Sequence, residues 1–112
     1  MILCHLDEIE DGGAKGFDLG PGKDPRDIFL VRQGRQVFAY VNSCPHVGTP
    51  LDWQPDRFLT ADGSQIICAT HGARFRIEDG YCLAGPCTGK ALRTLSIRID
   101  SSGKIILAPN AA

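Results

Sequence analysis

The sequence has almost no net charge and no long apolar run, and each absence excludes a class of function. Twelve Lys and Arg residues face 13 Asp and Glu residues, a formal charge of −1. The chain therefore lacks the basic character that binds DNA or RNA. Its longest apolar stretch, residues 37–41, is far shorter than the roughly 20 residues of a membrane-spanning helix. The first residues, MILCHLDEIEDGG, show no basic segment before an apolar one, so we expect no secretory signal, no membrane association and a cytoplasmic location.

Long helices are also unexpected, because 13 glycines and 7 prolines interrupt the 112 residues. The length corresponds to one domain over residues 1–112, and no linker, repeat or low-complexity tract divides it. The five cysteines are an odd number. In a reducing compartment a disulfide framework is not expected, and metal binding or redox chemistry is favoured.

Short runs of β-branched and aromatic residues predict a succession of antiparallel hairpins. The paired runs are 28–32 with 36–41, 58–60 with 65–68, 74–77 with 81–83, and 95–100 with 105–107. Glycine-containing turns separate the members of each pair, as hairpins require. The chain is therefore predicted to be all-β, an antiparallel β-sandwich or small barrel.

Two short motifs combine a thiol and an imidazole on loops at predicted strand ends. Residues 44–48 read Cys-Pro-His-Val-Gly, and residues 68–72 read Cys-Ala-Thr-His-Gly. The candidate metal ligands are Cys44, His46, Cys68 and His71. Two cysteines and two histidines suit a tetrahedral zinc ion, or an iron–sulfur cluster with cysteines on one iron and histidines on the other. Zinc fingers usually pair like ligands within a loop, whereas each loop here offers one of each kind.

The two motifs, Cys-x-His-x-Gly and Cys-x-x-His-Gly, resemble the two boxes of Rieske [2Fe–2S] proteins. The resemblance continues through His71-Gly72-Ala73-Arg74-Phe75, Gly80 and the pair Gly85-Pro86, and it covers roughly residues 28–107. It implies three antiparallel sheets and a cluster-binding subdomain, formed by loops, over about residues 42–90. It also implies that Cys44 and Cys68 bind the inner iron and that His46 and His71 bind the outer iron. The residues implied to form loops around the cluster are Gly48, Gly72, Gly85 and Pro86.

By this resemblance the chain is a soluble one-electron carrier with one [2Fe–2S] cluster and no catalytic residue. It is similar to the ferredoxin that carries electrons from a flavin reductase to a terminal ring-hydroxylating oxygenase. A stand-alone oxygenase is excluded, because three histidines in 112 residues cannot also supply a mononuclear iron site. Two alternatives stay open. One is the small Rieske subunit of an assimilatory nitrite reductase, bound to its large subunit, and the other is a structural zinc module.

Several residues set this chain apart from other members of the family it resembles. High-potential members carry hydroxyl side chains where this chain has Ala73 and Phe75, and disulfide-forming cysteines where it has Thr49 and Thr70. We therefore expect a reduction potential at the low end of the Rieske range, about −150 to +300 mV. The segment Trp53–Gly63 looks like an insertion, expected to extend a hairpin beside the cluster.

The cysteines outside the two boxes have no neighbouring histidine and no repeated spacing. They are Cys4, Cys82 and Cys87. Cys82 and Cys87 flank the Gly85-Pro86 pair, but small buried apolar side chains are the expectation for all three.

Overall fold

Ten β-strands and one 3₁₀ turn form the regular structure of residues 1–45, 48–52, 54–69 and 72–108, which the computed structural model describes. The strands are β1 (Ile2–His5), β2 (Ala14–Asp18), β3 (Asp27–Gln33), β4 (Gln36–Val41), β5 (Ile66–Ile67), β6 (Arg74–Phe75), β7 (Cys82–Ala84), β8 (Thr94–Leu95), β9 (Ile97–Ile99) and β10 (Lys104–Leu107). The 3₁₀ turn, Leu6–Glu8, follows β1. No helix within these residues has the length and apolar character needed to cross a bilayer.

The strands form three antiparallel sheets, which confirms the predicted fold class. The first sheet has the order β1-β10-β9, the second β2-β3-β4-β8 and the third β5-β6-β7. The hairpin of β3 and β4 is the centre of the second sheet and pairs from Ile28↔Val41 to Gln33↔Gln36. Its turn contains Gly34 at a φ of 63°, a conformation that glycine adopts without strain.

The second sheet lies between two apolar clusters, so β3 is buried on both faces. Phe29 and Val31 belong to a larger cluster that includes residues of the third sheet, whereas Leu30 belongs to a smaller cluster with Ile105. Successive residues of a strand point to opposite faces of the sheet, and here an apolar cluster packs against each face. This explains why β3 shows an uninterrupted apolar run rather than the alternation of a half-exposed strand.

Two predictions about individual strands were wrong, and two strands were not predicted. The alternating run 95–100 is not one strand, because it divides at Ser96 between β8 of the second sheet and β9 of the first. The run 58–60 contributes only an isolated bridge between Leu59 and Ile66. β1 and β2 were not predicted, and each pairs with a strand that the sequence pattern does not link to it.

Candidate metal centre

The two cysteine loops are built on the same backbone hydrogen-bond pattern. In the first loop the Cys44 N–H donates to the Thr49 carbonyl at 2.8 Å, and the Gly48 N–H donates to the Cys44 carbonyl at 2.7 Å. In the second loop the Cys68 N–H donates to the Ala73 carbonyl, and the Gly72 N–H donates to the Cys68 carbonyl, both at 2.8 Å. Each turn thus joins residue i to residues i+4 and i+5. The two motifs therefore share a local structure as well as a composition.

A glycine four residues after each cysteine makes this shared turn possible. Gly48 has a φ of 78° and Gly72 a φ of 69°, both in the left-handed region. Among the described residues, no atom lies within 4 Å of a Cβ built on Gly72, and only the Ser43 hydroxyl, at 3.9 Å, approaches one built on Gly48. The backbone conformation, and not lack of space, therefore selects glycine at both places. The equal Cys-to-Gly spacing is the sequence signal that could have predicted the matching turns.

Strand ends place the two thiols on adjacent loops. Cys68 directly follows β5, and Cys44 lies shortly after β4. A hydrogen bond from the Ala69 N–H to the Leu51 carbonyl, 3.0 Å, joins the second loop to the chain after the first. The Asn42 side chain supports the first loop, because its carbonyl accepts from the Leu51 N–H at 2.8 Å.

Both thiols are buried, with Cys44 1% exposed and Cys68 fully covered, whereas the loop tips at Gly48 and Gly72 are exposed. The inner side of the candidate centre therefore faces the larger apolar core, which keeps water from the sulfur ligands. His46 and His71, the other predicted ligands, lie outside the described residues, as does Thr70. Among the described residues alone, no group of three or more His, Cys, Asp or Glu side chains is placed to hold a metal ion.

The predicted third loop packs against the second cysteine loop. A Cβ built on Gly85 would lie 2.7 Å from Cα of Ala73, so the two backbones are in direct contact. Gly85 has a φ of 103°, and its carbonyl accepts from the Thr88 hydroxyl at 2.6 Å. Gly85 and Pro86 are exposed. The Gly-Pro segment therefore lies at the surface directly behind the second cysteine loop.

Two further cysteines lie in the same core, and sequence reasoning did not foresee how close their sulfur atoms are. Cys82 and Cys87 are buried, as expected, but their sulfur atoms are only 3.0 Å apart. Burial, followed by the hydrogen bond between the Cys87 and Cys82 thiols, raises the pKa of the Cys87 thiol to about 12. Cys4, also buried, belongs to the smaller apolar cluster instead.

The insertion contributes a core side chain. Phe58 is fully buried and stacks on Phe29, with ring centroids 4.3 Å apart and planes 6° from parallel. The Asp56 carboxylate accepts a hydrogen bond from the Gly16 N–H of β2 at 2.8 Å. Trp53, at the start of the segment, lies outside the described residues. The described part of the insertion is therefore anchored to the second sheet.

The donor atoms of the described loops fit an iron–sulfur cluster. Such a cluster needs soft thiolate ligands, shielded from water and presented by separate loops. Cys44 and Cys68 meet these requirements, since both are buried and their loops are joined by a backbone hydrogen bond.

Comparison with known proteins agrees with this chemistry. The Rieske [2Fe-2S] domain family matches residues 1–110. The ferredoxin of carbazole 1,9a-dioxygenase from Nocardioides aromaticivorans IC177 is 28% identical, with a TM-score of 0.75 over 98% of this chain and 97% of that one. The Sphingomonas yanoikuyae B1 ferredoxin, 24% identical, has the same fold, with a TM-score of 0.69 over 97% of this chain and 98% of that one.

A curated relative, apoptosis-inducing factor 3 of Mus musculus, is 32% identical over 78 residues, which are 70% of this chain. The chain spans 11% of that protein's length. The comparisons confirm the predicted cofactor and the predicted role in electron transfer, and they set the zinc module aside. This chain belongs to the Rieske [2Fe–2S] domain family, whose cofactor is a [2Fe–2S] cluster.

Proposed function

We propose that this chain is the ferredoxin component of a ring-hydroxylating oxygenase system, carrying single electrons from a flavin reductase to the terminal oxygenase. The pair of matching turns at Cys44 and Cys68 carries the proposal, because it holds two buried thiols on adjacent loops. The oxygenase partner is supported by the end-to-end similarity to a ferredoxin of a dioxygenase.

The proposal includes the ligand set. Cys44 and Cys68 would hold the inner iron, and His46 and His71 the outer iron, within a cluster-binding subdomain of about residues 42–90. When bound, the [2Fe–2S] cluster accepts and releases one electron. The chain's own contribution is to hold the sulfur ligands in hydrogen-bonded turns against the apolar core, which limits their movement when the charge changes.

The exposure of the loops indicates where partners would dock. The cysteine ends of both loops are buried, and Gly48, Thr49 and Gly72 are exposed at the other end. Electron transfer requires a short path between redox centres. The reductase and the oxygenase would therefore use the same surface, the exposed tips of the two loops, one after the other.

The ligand set is tested with variants of all three histidines. His46→Ser and His71→Ser are expected to abolish the EPR signal that appears on reduction, together with the equal iron and sulfide content. His5→Gln is the matched control. His5 belongs to β1 of the first sheet, and its ring Nε2 contacts the Ser102 carbonyl at 2.6 Å. A wild-type spectrum in either of the first two variants would contradict the assignment.

The partner is tested by stopped-flow oxidation of the reduced carrier. Terminal oxygenases and a nitrite reductase large subunit from the source organism are mixed with it in turn, and cluster absorbance is followed. Rapid oxidation by an oxygenase, with reduction by a flavin reductase, is the expected result. Oxidation by the nitrite reductase subunit alone would overturn the proposal. Cell fractionation tests the proposed cytoplasmic location.

A further inference from the structure

A pair of buried thiols lies beneath the third loop, outside the proposed ligand set. Cys82 is in β7 and Cys87 follows Gly85-Pro86, and their sulfur atoms are 3.0 Å apart. Both side chains are almost fully covered, at 0% and 1% exposure. A disulfide bond is about 2.05 Å long, so a movement of about 1 Å would join the two sulfur atoms.

Backbone hydrogen bonds hold this pair in register. The Cys82 N–H donates to the Lys90 carbonyl at 2.8 Å, and the Lys90 N–H donates to the Cys87 carbonyl at 2.9 Å. Lys90 therefore connects both cysteine backbones. The Cys82 thiol also contacts the Ala84 carbonyl, at 3.3 Å. The surrounding backbone bonds thus hold the two cysteines close to each other.

We propose that Cys82 and Cys87 form a redox-active dithiol that a small-molecule disulfide oxidises to an intramolecular disulfide across the Gly85-Pro86 loop. In the first step one cysteine, as its thiolate, attacks the small disulfide, forming a mixed disulfide and releasing one small thiol. The other cysteine then loses its proton and attacks the protein sulfur of the mixed disulfide, releasing the second small thiol. The protein pair gives up two electrons and two protons, and the small disulfide accepts them.

Burial determines how fast this reaction proceeds. An oxidant must reach sulfur atoms that lie under the exposed residues Gly85 and Pro86. Reaction therefore requires the loop to open, and we expect it to be slow in the folded protein and faster in urea. The same cover would protect the disulfide from reductants once it has formed.

The new bond would act on the cluster site through Gly85. Cys82 and Cys87 stand at the two ends of the loop that contains Gly85, and Gly85 is packed on Ala73 of the second cysteine loop. Tying the loop ends together would hold this contact in place. We therefore expect the oxidised protein to lose its visible absorbance more slowly than the dithiol form when an iron chelator is added.

Peptide mass analysis of the loaded protein tests the proposal directly. Protein purified without oxygen is incubated with glutathione disulfide, quenched in acid, unfolded, alkylated and digested. Trypsin cuts after Arg76 and Lys90, so both thiols fall in the peptide of residues 77–90, apart from Cys44 and Cys68. The expected product is that peptide, not alkylated and lighter by two hydrogens, while Cys44 and Cys68 are alkylated.

Three variants serve as controls. Cys82→Ala and Cys87→Ala should not give the lighter peptide and should lose the change in chelator sensitivity, whereas Cys4→Ala, in the smaller cluster, should behave as wild type. If a variant does not fold, the peptide mass of the oxidised wild-type protein still decides whether the disulfide forms. Full alkylation of the peptide from the folded protein, even after an incubation much longer than the urea-unfolded chain needs for conversion, would overturn the proposal. A disulfide from Cys87 to Cys44 would overturn it as well.

Discussion

The contact between the third loop and the second cysteine loop can be tested by placing one methyl group at Gly85. In Gly85→Ala the new Cβ would stand 2.7 Å from Cα of Ala73 and 3.0 Å from its Cβ. The first of these atoms is backbone, so it cannot move aside as a flexible side chain would. Overpacking of this kind costs about 1–3 kcal/mol. The φ of 103° adds strain of about 1–3 kcal/mol for a residue other than glycine.

A second glycine separates the two effects. Gly89 has a similar φ, 92°, but no atom of the residues that the structure describes lies within 4 Å of a Cβ built on it. Gly89→Ala should therefore carry the backbone strain alone, and the clash should account for a difference of about 1–3 kcal/mol between the variants. At a denaturant slope of about 2 kcal/mol per molar, that difference lowers the urea midpoint of Gly85→Ala by about 0.5–1.5 M relative to Gly89→Ala.

The assay is urea unfolding of the cluster-loaded protein without oxygen, followed by far-UV circular dichroism and by visible absorbance. Gly85→Ala should also lose visible absorbance at lower urea than secondary structure, because the displaced Ala73 belongs to a cysteine turn. Gly89→Ala should lose both signals together, and the same result is expected for the wild type. Equal midpoints for the two variants would refute the close approach of Gly85 to Ala73 and the role we give this loop.

Three more outcomes are expected. Tyr40→Phe should lower the free energy of unfolding by about 1–2 kcal/mol, since the buried hydroxyl donates to the Ile77 carbonyl; an unchanged urea midpoint would contradict this. The Arg76 guanidinium holds the pKa of Asp79 at about 2. The stabilisation that this ion pair gives the fold is therefore present above the ordinary carboxyl pKa and disappears as pH falls through 2. Arg76→Gln should raise the pKa of Asp79, which NMR titration measures. Phe75→Tyr should raise the midpoint potential by about 40–65 mV in a redox titration, the equivalent of one hydrogen bond of about 1–1.5 kcal/mol; no rise would count against the expected low potential.

Local patterns in the sequence predicted the central hairpin well and the assignment of strands to sheets poorly. Runs 28–32 and 36–41 correspond closely to β3 and β4, because both are rich in β-branched and aromatic residues and a short turn joins them. Residues 95–100 alternate regularly, yet the chain changes sheets at Ser96. The alternation of apolar and polar residues continues unchanged across that point. Only the pairing partners distinguish the two strands, since β8 pairs with β4 and β9 pairs with β10.

The unpredicted strands have a similar explanation. β1 pairs with β10, at the opposite end of the sequence. β2 pairs with the next strand, β3, but it contains Gly16 in place of a side chain that would mark a strand. This glycine leaves room for Phe58, whose ring would come within 3.2 Å of a Cβ at that position. At both strands the conformation comes from contacts with other segments, and strand propensity does not reveal such contacts.

The cofactor chemistry was more accessible to sequence reasoning than the contacts between loops, for a physical reason. Each cysteine turn is closed by hydrogen bonds within six residues. The Cys-to-Gly spacing at Cys44 and Gly48, and again at Cys68 and Gly72, is therefore enough to predict the turn from the sequence. The loops meet, in contrast, through backbone atoms: the Ala69 N–H donates to the Leu51 carbonyl, and Gly85 touches the backbone of Ala73. Every residue but proline offers the same N–H and carbonyl groups, so side-chain identity says little about which loops pair. The proximity of Cys82 to Cys87 depends on the same kind of backbone bonding through Lys90, and it became visible only in the folded chain.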